Sequence, residues 1–128
     1  MILQPAIRKY ACALFAKFSS CPSIRNKFSE NNKILSFGQT GFNGRPHAES
    51  EAIRKCKKKE LKGSSIYITM EPCTHYGKTP PCTNLIIKSK IKKVIYSIND
   101  VDERTRNKAY SFLKSKKIIV SKDLLKSE

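Results

Sequence analysis

Glycine and proline are sparse in this 128-residue chain, at 5 and 6 residues, and its 10 acidic side chains face 26 Lys and Arg. The shortage of Gly and Pro, beside a hydrophobic content of 39%, excludes a low-complexity or disordered chain. Long apolar runs are missing as well. The longest near the start, Ala11 to Ala16, is ended by Lys17, far short of the roughly 20 residues of a membrane span, and no signal peptide is expected. The length fits one domain over 1–128 with a core of its own. Cysteine is present in odd number, 5 in all. Two of the five stand at metal-binding spacing, which points to a reducing, cytoplasmic location.

The net charge of +16 has two readings. One is a surface for nucleic acid. The other is a lysine-rich composition spread over solvated faces. Basic residues outnumber acidic ones 7 to 2 in 1–50 and 19 to 8 in 51–128. They form no single stripe and few aromatics interleave with them, which favours the second reading.

Periodicity places the elements. Ile7, Ala11, Leu14 and Phe18 recur at helical spacing, so a helix is predicted over 5–18, after Pro5 in its first turn. Lys33 to Phe37 reads as a strand closed by Gly38, and Gln39 to Arg45 as a loop. A helix starts near His47, with Ala48, Ala52, Ile53 and Cys56 inward, a cationic last turn at Lys57-Lys58-Lys59 and a stop at Gly63. Cys12 and Cys56 fall on apolar helix faces and read as core thiols. Ser65 to Met70 and Lys93 to Ile98 are buried strands. Between them a helix begins around Thr79-Pro80-Pro81-Cys82. A helix over 103–115, with Ala109, Phe112 and Leu113 inward, and a short strand Ile118-Ile119-Val120 complete the order. Residues 121–128 are a loose tail. Alternating strands and helices imply an α/β fold with a mostly parallel central sheet flanked by helices.

The chemistry is concentrated in Pro46-His47-Ala48-Glu49, answered by Glu71-Pro72-Cys73 and by Cys82. One imidazole, two thiols and a carboxylate two residues past the imidazole are the parts of a catalytic zinc site, which uses three protein ligands and leaves one position open. His47, Cys73 and Cys82 are the candidate Zn2+ ligands. Glu49 is the candidate catalytic proton carrier. His-x-Glu followed by Pro-Cys and a second cysteine is the signature of the zinc-dependent nucleobase deaminases. Cys73 follows a predicted strand, and an open α/β sheet places ligands at that end. At a helix N-terminus, Cys82 stands where a thiolate is favoured.

The run Cys73-Thr74-His75-Tyr76-Gly77-Lys78-Thr79-Pro80-Pro81-Cys82 puts eight residues between the cysteines. With Ile68-Thr69-Met70-Glu71-Pro72 before it, it resembles the deaminase domain of the bacterial riboflavin-biosynthesis deaminase/reductase family over roughly residues 34–120. The resemblance implies a three-layer α/β/α cytidine deaminase-like fold. It also implies a pyrimidine ribosyl phosphate as substrate, release of ammonia and a homo-oligomer. Substrate contacts are carried over to His75, Lys78 and Thr79 on the long loop and to Asp100 at the end of a strand. Lys78 would meet the phosphate. A solvated loop lysine, and an Asp100 that caps the next helix, are the plainer readings of two of these. The chain stops where the family's reductase domain would begin, so a separate reductase is an expected partner.

Two positions depart from the family. Thr40 stands where many relatives carry a histidine. Cys21-Pro22-Ser23-Ile24-Arg25 replaces a run Asn-Pro-x-Val-Gly that opens the family's first core strand, and Asn26 to Lys33 holds one apolar residue where a buried strand is required. Burying an unpaired charge there costs several kcal/mol. The segment therefore leaves the sheet, or the chain is a degenerate, zinc-stabilised relative without activity. A nucleic-acid base deaminase is the remaining rival.

Overall fold

A computed structural model describes residues 12–17, 33–41 and 44–122. Five strands form one sheet in the order β2-β1-β3-β4-β5, namely β1 (Cys12–Lys17), β2 (Lys33–Gln39), β3 (Ser65–Met70), β4 (Lys93–Ile98) and β5 (Ile119–Lys122). The pairs β3–β4 and β4–β5 are parallel, whereas β1 is antiparallel to both β2 and β3. Four strands thus share one direction and β1 alone opposes them. The sheet is mixed at that strand and parallel elsewhere.

β1 corrects the helix predicted over 5–18. Residues 12–17 are extended and bridge two neighbours: Ala13 stands opposite Gly38 on one side and Ile68 on the other. A short apolar run fits a buried strand as well as a helix face, and two ladders of backbone hydrogen bonds decide for the strand. Cys12 accordingly lies on a strand in register with Gln39, not on a helix. The strand beside β3 is therefore built by Cys12–Lys17. The departures noted at 21–32 lie outside the described residues.

α1 (Ala48–Lys55) lies on β2 because Gly38 has no side chain. A Cβ there would come within 2.2 Å of the Ala48 carbonyl oxygen and 2.6 Å of the Ala52 nitrogen. Ser36 Oγ donates to the Ala52 carbonyl at 2.7 Å, and the Gln39 N–H donates to Glu51 at 2.7 Å. The helix predicted to run on to Lys59 breaks instead at Cys56, and α2 (Lys58–Leu61) follows as a separate turn. On an unbroken helix Ala52 and Leu61 would point in opposite directions, nine residues at about 100° each. Both are buried, at 0% and 2% exposure, and the break brings Leu61 round to the core. Cys56 joins that core as expected.

β3 leads into α3 (Cys82–Lys88), and β4 leads into α4 (Lys108–Ser115). α3 packs against both α1 and α4. Ile66, Ile68, Val94 and Tyr96 from the sheet meet Ile86, Ala109 and Leu113 from the helices in one core. α4 starts five residues later than predicted. Asp100 and Asp102 side chains accept the N–H groups of Asp102 and Arg104, and Asn107 takes a left-handed conformation at φ 62°. Such local turns compete with helix. Of the tail expected over 121–128, Ser121 and Lys122 belong to β5, and the rest lies outside the described residues. No described helix is long and apolar enough to cross a membrane.

Candidate metal centre and active site

Three chain segments end at one place. His47 is the residue before α1, Cys73 follows β3 after Glu71-Pro72, and Cys82 opens α3 behind Pro81. His47 Nδ1 lies 3.3 Å from Cys82 Sγ and 3.7 Å from Cys73 Sγ. The three ligand atoms all fall within 4.8 Å of one another. Tetrahedral zinc with Zn–S of ~2.3 Å and Zn–N of ~2.05 Å needs ligand atoms ~3.6–3.8 Å apart. The donor set and its spacing fit zinc.

The backbone holds this cluster. The Cys73 carbonyl accepts from Thr83 Oγ1 at 3.1 Å and from the Thr83 N–H at 3.3 Å. The N–H of Cys82, at the first position of α3, donates to Cys73 Sγ at 3.2 Å. Hydrogen bonds from Cys82 and His47 draw the Cys73 thiol well below its ordinary range. The Cys82 thiol, as donor to Cys73 and under desolvation, moves the other way. Its contact with Cys73 raises His47. A metal ligand is a thiolate, and the hydrogen bonds to Cys73 favour that form.

Glu49, in the first turn of α1, is buried at 6% exposure and faces the same cavity. Burial pushes its carboxyl up to about 7, although His47 opposes the shift. The cavity encloses about 390 Å3, and its wall includes His47, Glu49, Cys73, Thr40, Ile68 and Met70.

Of the four residues assigned to substrate, three line this cavity: His75, Lys78 and Asp100. His75 Nδ1 sits 2.8 Å from the buried Thr105 hydroxyl. Lys78 is exposed at the rim. Asp100 is 4% exposed and takes the Asp102 N–H at 3.0 Å, so it shapes the turn after β4 and faces the cavity at once. Thr79 is the exception. It is exposed and off the cavity wall, and its hydroxyl accepts a hydrogen bond from Arg45 Nη1. Thr79, expected to touch substrate, has its hydroxyl turned by the loop toward residue 45.

Three further groups escaped the sequence reading. Arg45 lines the cavity beside the ligand His47, so its place in the motif was the available signal. Arg104 and Asp102 also line it, joined at 2.6 Å, and no sequence pattern marks them. Glu71 was read only as part of a motif. It is 2% exposed, and its carboxylate accepts the N–H groups of Asp100 at 3.1 Å, Asn107 at 3.0 Å and Ala109 at 3.1 Å. It anchors the turn that carries Asp100 and the start of α4.

Residues 26–98 match the family described as the cytidine and deoxycytidylate deaminase zinc-binding region. The chain is 40% identical over 107 residues to a diaminohydroxyphosphoribosylamino-pyrimidine deaminase from Buchnera aphidicola of Schizaphis graminum, spanning 84% of this chain and 72% of that protein. It is 36% identical to the riboflavin biosynthesis protein RibD of Aquifex aeolicus, over 84% of this chain but 30% of that longer protein. Among solved structures, it resembles a Thermotoga maritima diaminohydroxyphosphoribosylaminopyrimidine deaminase/5-amino-6-(5-phosphoribosylamino)uracil reductase. There the TM-score is 0.74 at 31% identity, covering 94% of this chain and 32% of the other.

Proposed function

Because this chain belongs to the zinc-binding cytidine and deoxycytidylate deaminase family, we propose that it is the pyrimidine deaminase of riboflavin biosynthesis. Its substrate is 2,5-diamino-6-ribosylamino-4(3H)-pyrimidinone 5′-phosphate. Water replaces the ring amino group, ammonia leaves, and the uracil counterpart remains. The observation that carries this is the meeting of the His47, Cys73 and Cys82 ligand atoms at a cavity whose wall holds His47, Cys73 and the buried Glu49.

His47, Cys73 and Cys82 would hold zinc. When bound, zinc lowers the pKa of a water from near 16 toward about 7 and so supplies a nucleophile at neutral pH. Glu49 accepts the proton of the attacking water at its carboxylate, then delivers protons to the ring nitrogen and to the departing amine. A carboxyl held at about 7 takes up and gives back protons near neutral pH. His75 and Asp100 orient the pyrimidine from the wall they share with Glu49. Lys78, exposed at the rim, meets the phosphate, which remains partly solvated there.

The Thermotoga relative joins the deaminase and reductase names in one chain, and the deaminase step alone is assigned to the residues described. An inactive, zinc-stabilised relative finds little support, because the proton carrier and all three ligands are assembled. Metal analysis of the purified protein, run beside an ammonia-release assay on the pyrimidinone phosphate, tests the reading. One zinc per chain with ammonia release is expected. Bound zinc without ammonia release would sink the substrate assignment.

A further inference from the structure

We propose that Arg45 is a positioning residue that clasps the tip of the Cys73–Cys82 loop and so fixes Lys78 over the cavity. The deaminase reading enters only in what Lys78 meets; the clasp itself stands on geometry. The loop's two ends are well held. Cys73 is pinned by Thr83 and by the Cys82 N–H, and His75 by Thr105. The tip, residues 76–80, is exposed throughout. Among the described residues, the tip receives two hydrogen bonds from outside the loop: a long one of 3.5 Å from Asn84 to the Tyr76 hydroxyl, and the one from Arg45 Nη1 to Thr79 Oγ1.

Arg45 suits the task on both sides. Its own position is set by a tight turn in which the Gly41 N–H donates to the Pro46 carbonyl at 3.0 Å and the Gly44 N–H to the Gly41 carbonyl at 2.9 Å. A Cβ at Gly41 would fall 1.9 Å from the Arg45 carbonyl oxygen, so position 41 admits no side chain. At the other end the guanidinium lies against Gly77, where a Cβ would stand 3.1 Å from Arg45 Nη2. One planar group therefore bonds Thr79 and stands beside Gly77, the residues on both sides of Lys78. A lysine at 45 would offer a single ammonium in place of the planar fork that reaches Thr79 and flanks Gly77.

The test combines hydrogen exchange of the full zinc-loaded protein with kinetics. Arg45→Ala and Thr79→Val should each speed amide exchange at the loop tip by roughly tenfold or more, local opening being what exchange reports. Thr79→Ser, which keeps the hydroxyl, should hold exchange near the starting rate. In the ammonia assay Arg45→Ala should raise KM for the pyrimidinone phosphate roughly three- to tenfold, with a smaller effect on kcat. In a Lys78→Ala background the same change should add almost nothing, since interacting residues are non-additive. Unchanged exchange in both Arg45→Ala and Thr79→Val would overturn the clasp. An Arg45 penalty that persists in full without Lys78 would overturn the positioning role, since Arg45 would then touch substrate by itself. Should the starting protein release no ammonia from this substrate, the functional reading falls while the exchange rates still decide the clasp.

Discussion

The floor and the roof of the cavity are built on different principles. The floor, with His47, Glu49 and Cys73 on the cavity wall and Cys82 Sγ beside them, is set on the ends of α1, β3 and α3, and hydrogen bonds from Thr83 and the Cys82 N–H lock it. The roof is Gly77 and Lys78, carried on the loop tip 76–80, which is exposed and hangs on side-chain contacts. Chemistry that needs fixed geometry within a few tenths of an ångström sits on the rigid elements. Recognition of a charged group, which a flexible side chain does well, sits on the loop. The contrast also fits the burial of Glu49, whose shifted pKa suits a proton carrier, and the exposure of Lys78.

Breaking the floor should have the larger effects. Cys73→Ser is expected to lose zinc, to lower Tm and to abolish activity, as read by metal analysis and thermal unfolding. Full zinc occupancy in that variant would remove Cys73 from the ligand set. Next comes Glu49→Gln, which keeps the size and loses the proton carrier. It should retain one zinc per chain while kcat falls by about 10²–10⁴-fold. Near-normal turnover would mean that another group moves the protons.

The roof should respond more weakly. Lys78→Ala is expected to lower kcat/KM by roughly ten- to a hundredfold, since a hydrogen bond to a charged group is worth about 1.5–3 kcal/mol. A dephosphorylated substrate should show almost no such loss. Equal losses with both substrates would take the phosphate away from Lys78. Were the substrate a polynucleotide instead, dispersed lysines would share the backbone charge. Removing one would then cost little and change the salt slope by about one unit. The smallest effect on turnover is predicted for Glu71→Gln, which tests the support behind the floor. Replacing one carboxylate oxygen by an amide nitrogen orphans at least one buried N–H, so stability should drop by about 1–3 kcal/mol with zinc content unchanged. Loss of zinc in Glu71→Gln would tie the two layers more closely than the hydrogen bonds imply.

Much of this was legible in the residues. His47-Ala48-Glu49 and Glu71-Pro72-Cys73 carry their chemistry in their spacing, and β3 and β4 are marked by β-branched runs that only a buried strand uses well. Residues 12–17 read as helix because Ile7, Ala11, Leu14 and Phe18 recur at helical spacing in the sequence, a pattern blind to the partners of a strand. What settled the matter was the pair of partners, Gly38 and Ile68, far away in sequence. The break at Cys56 escaped notice for a similar reason. It answers to the place where Leu61 is buried, which no local pattern records.

The sequence by itself determined which atoms can do the chemistry: one imidazole, two thiols and one carboxylate, at a spacing that needs a strand end and two helix starts. Tertiary structure alone decided the rest. It placed Thr79 against Arg45 instead of on the cavity wall, brought Asp102 and Arg104 to the cavity mouth, and made Glu71 the acceptor of three backbone N–H groups from residues 29 to 38 positions away. The physical reason is range. Ligand spacing and strand propensity are written in neighbouring residues, whereas a hydrogen bond between distant loops exists only after the sheet has fixed where those loops begin and end.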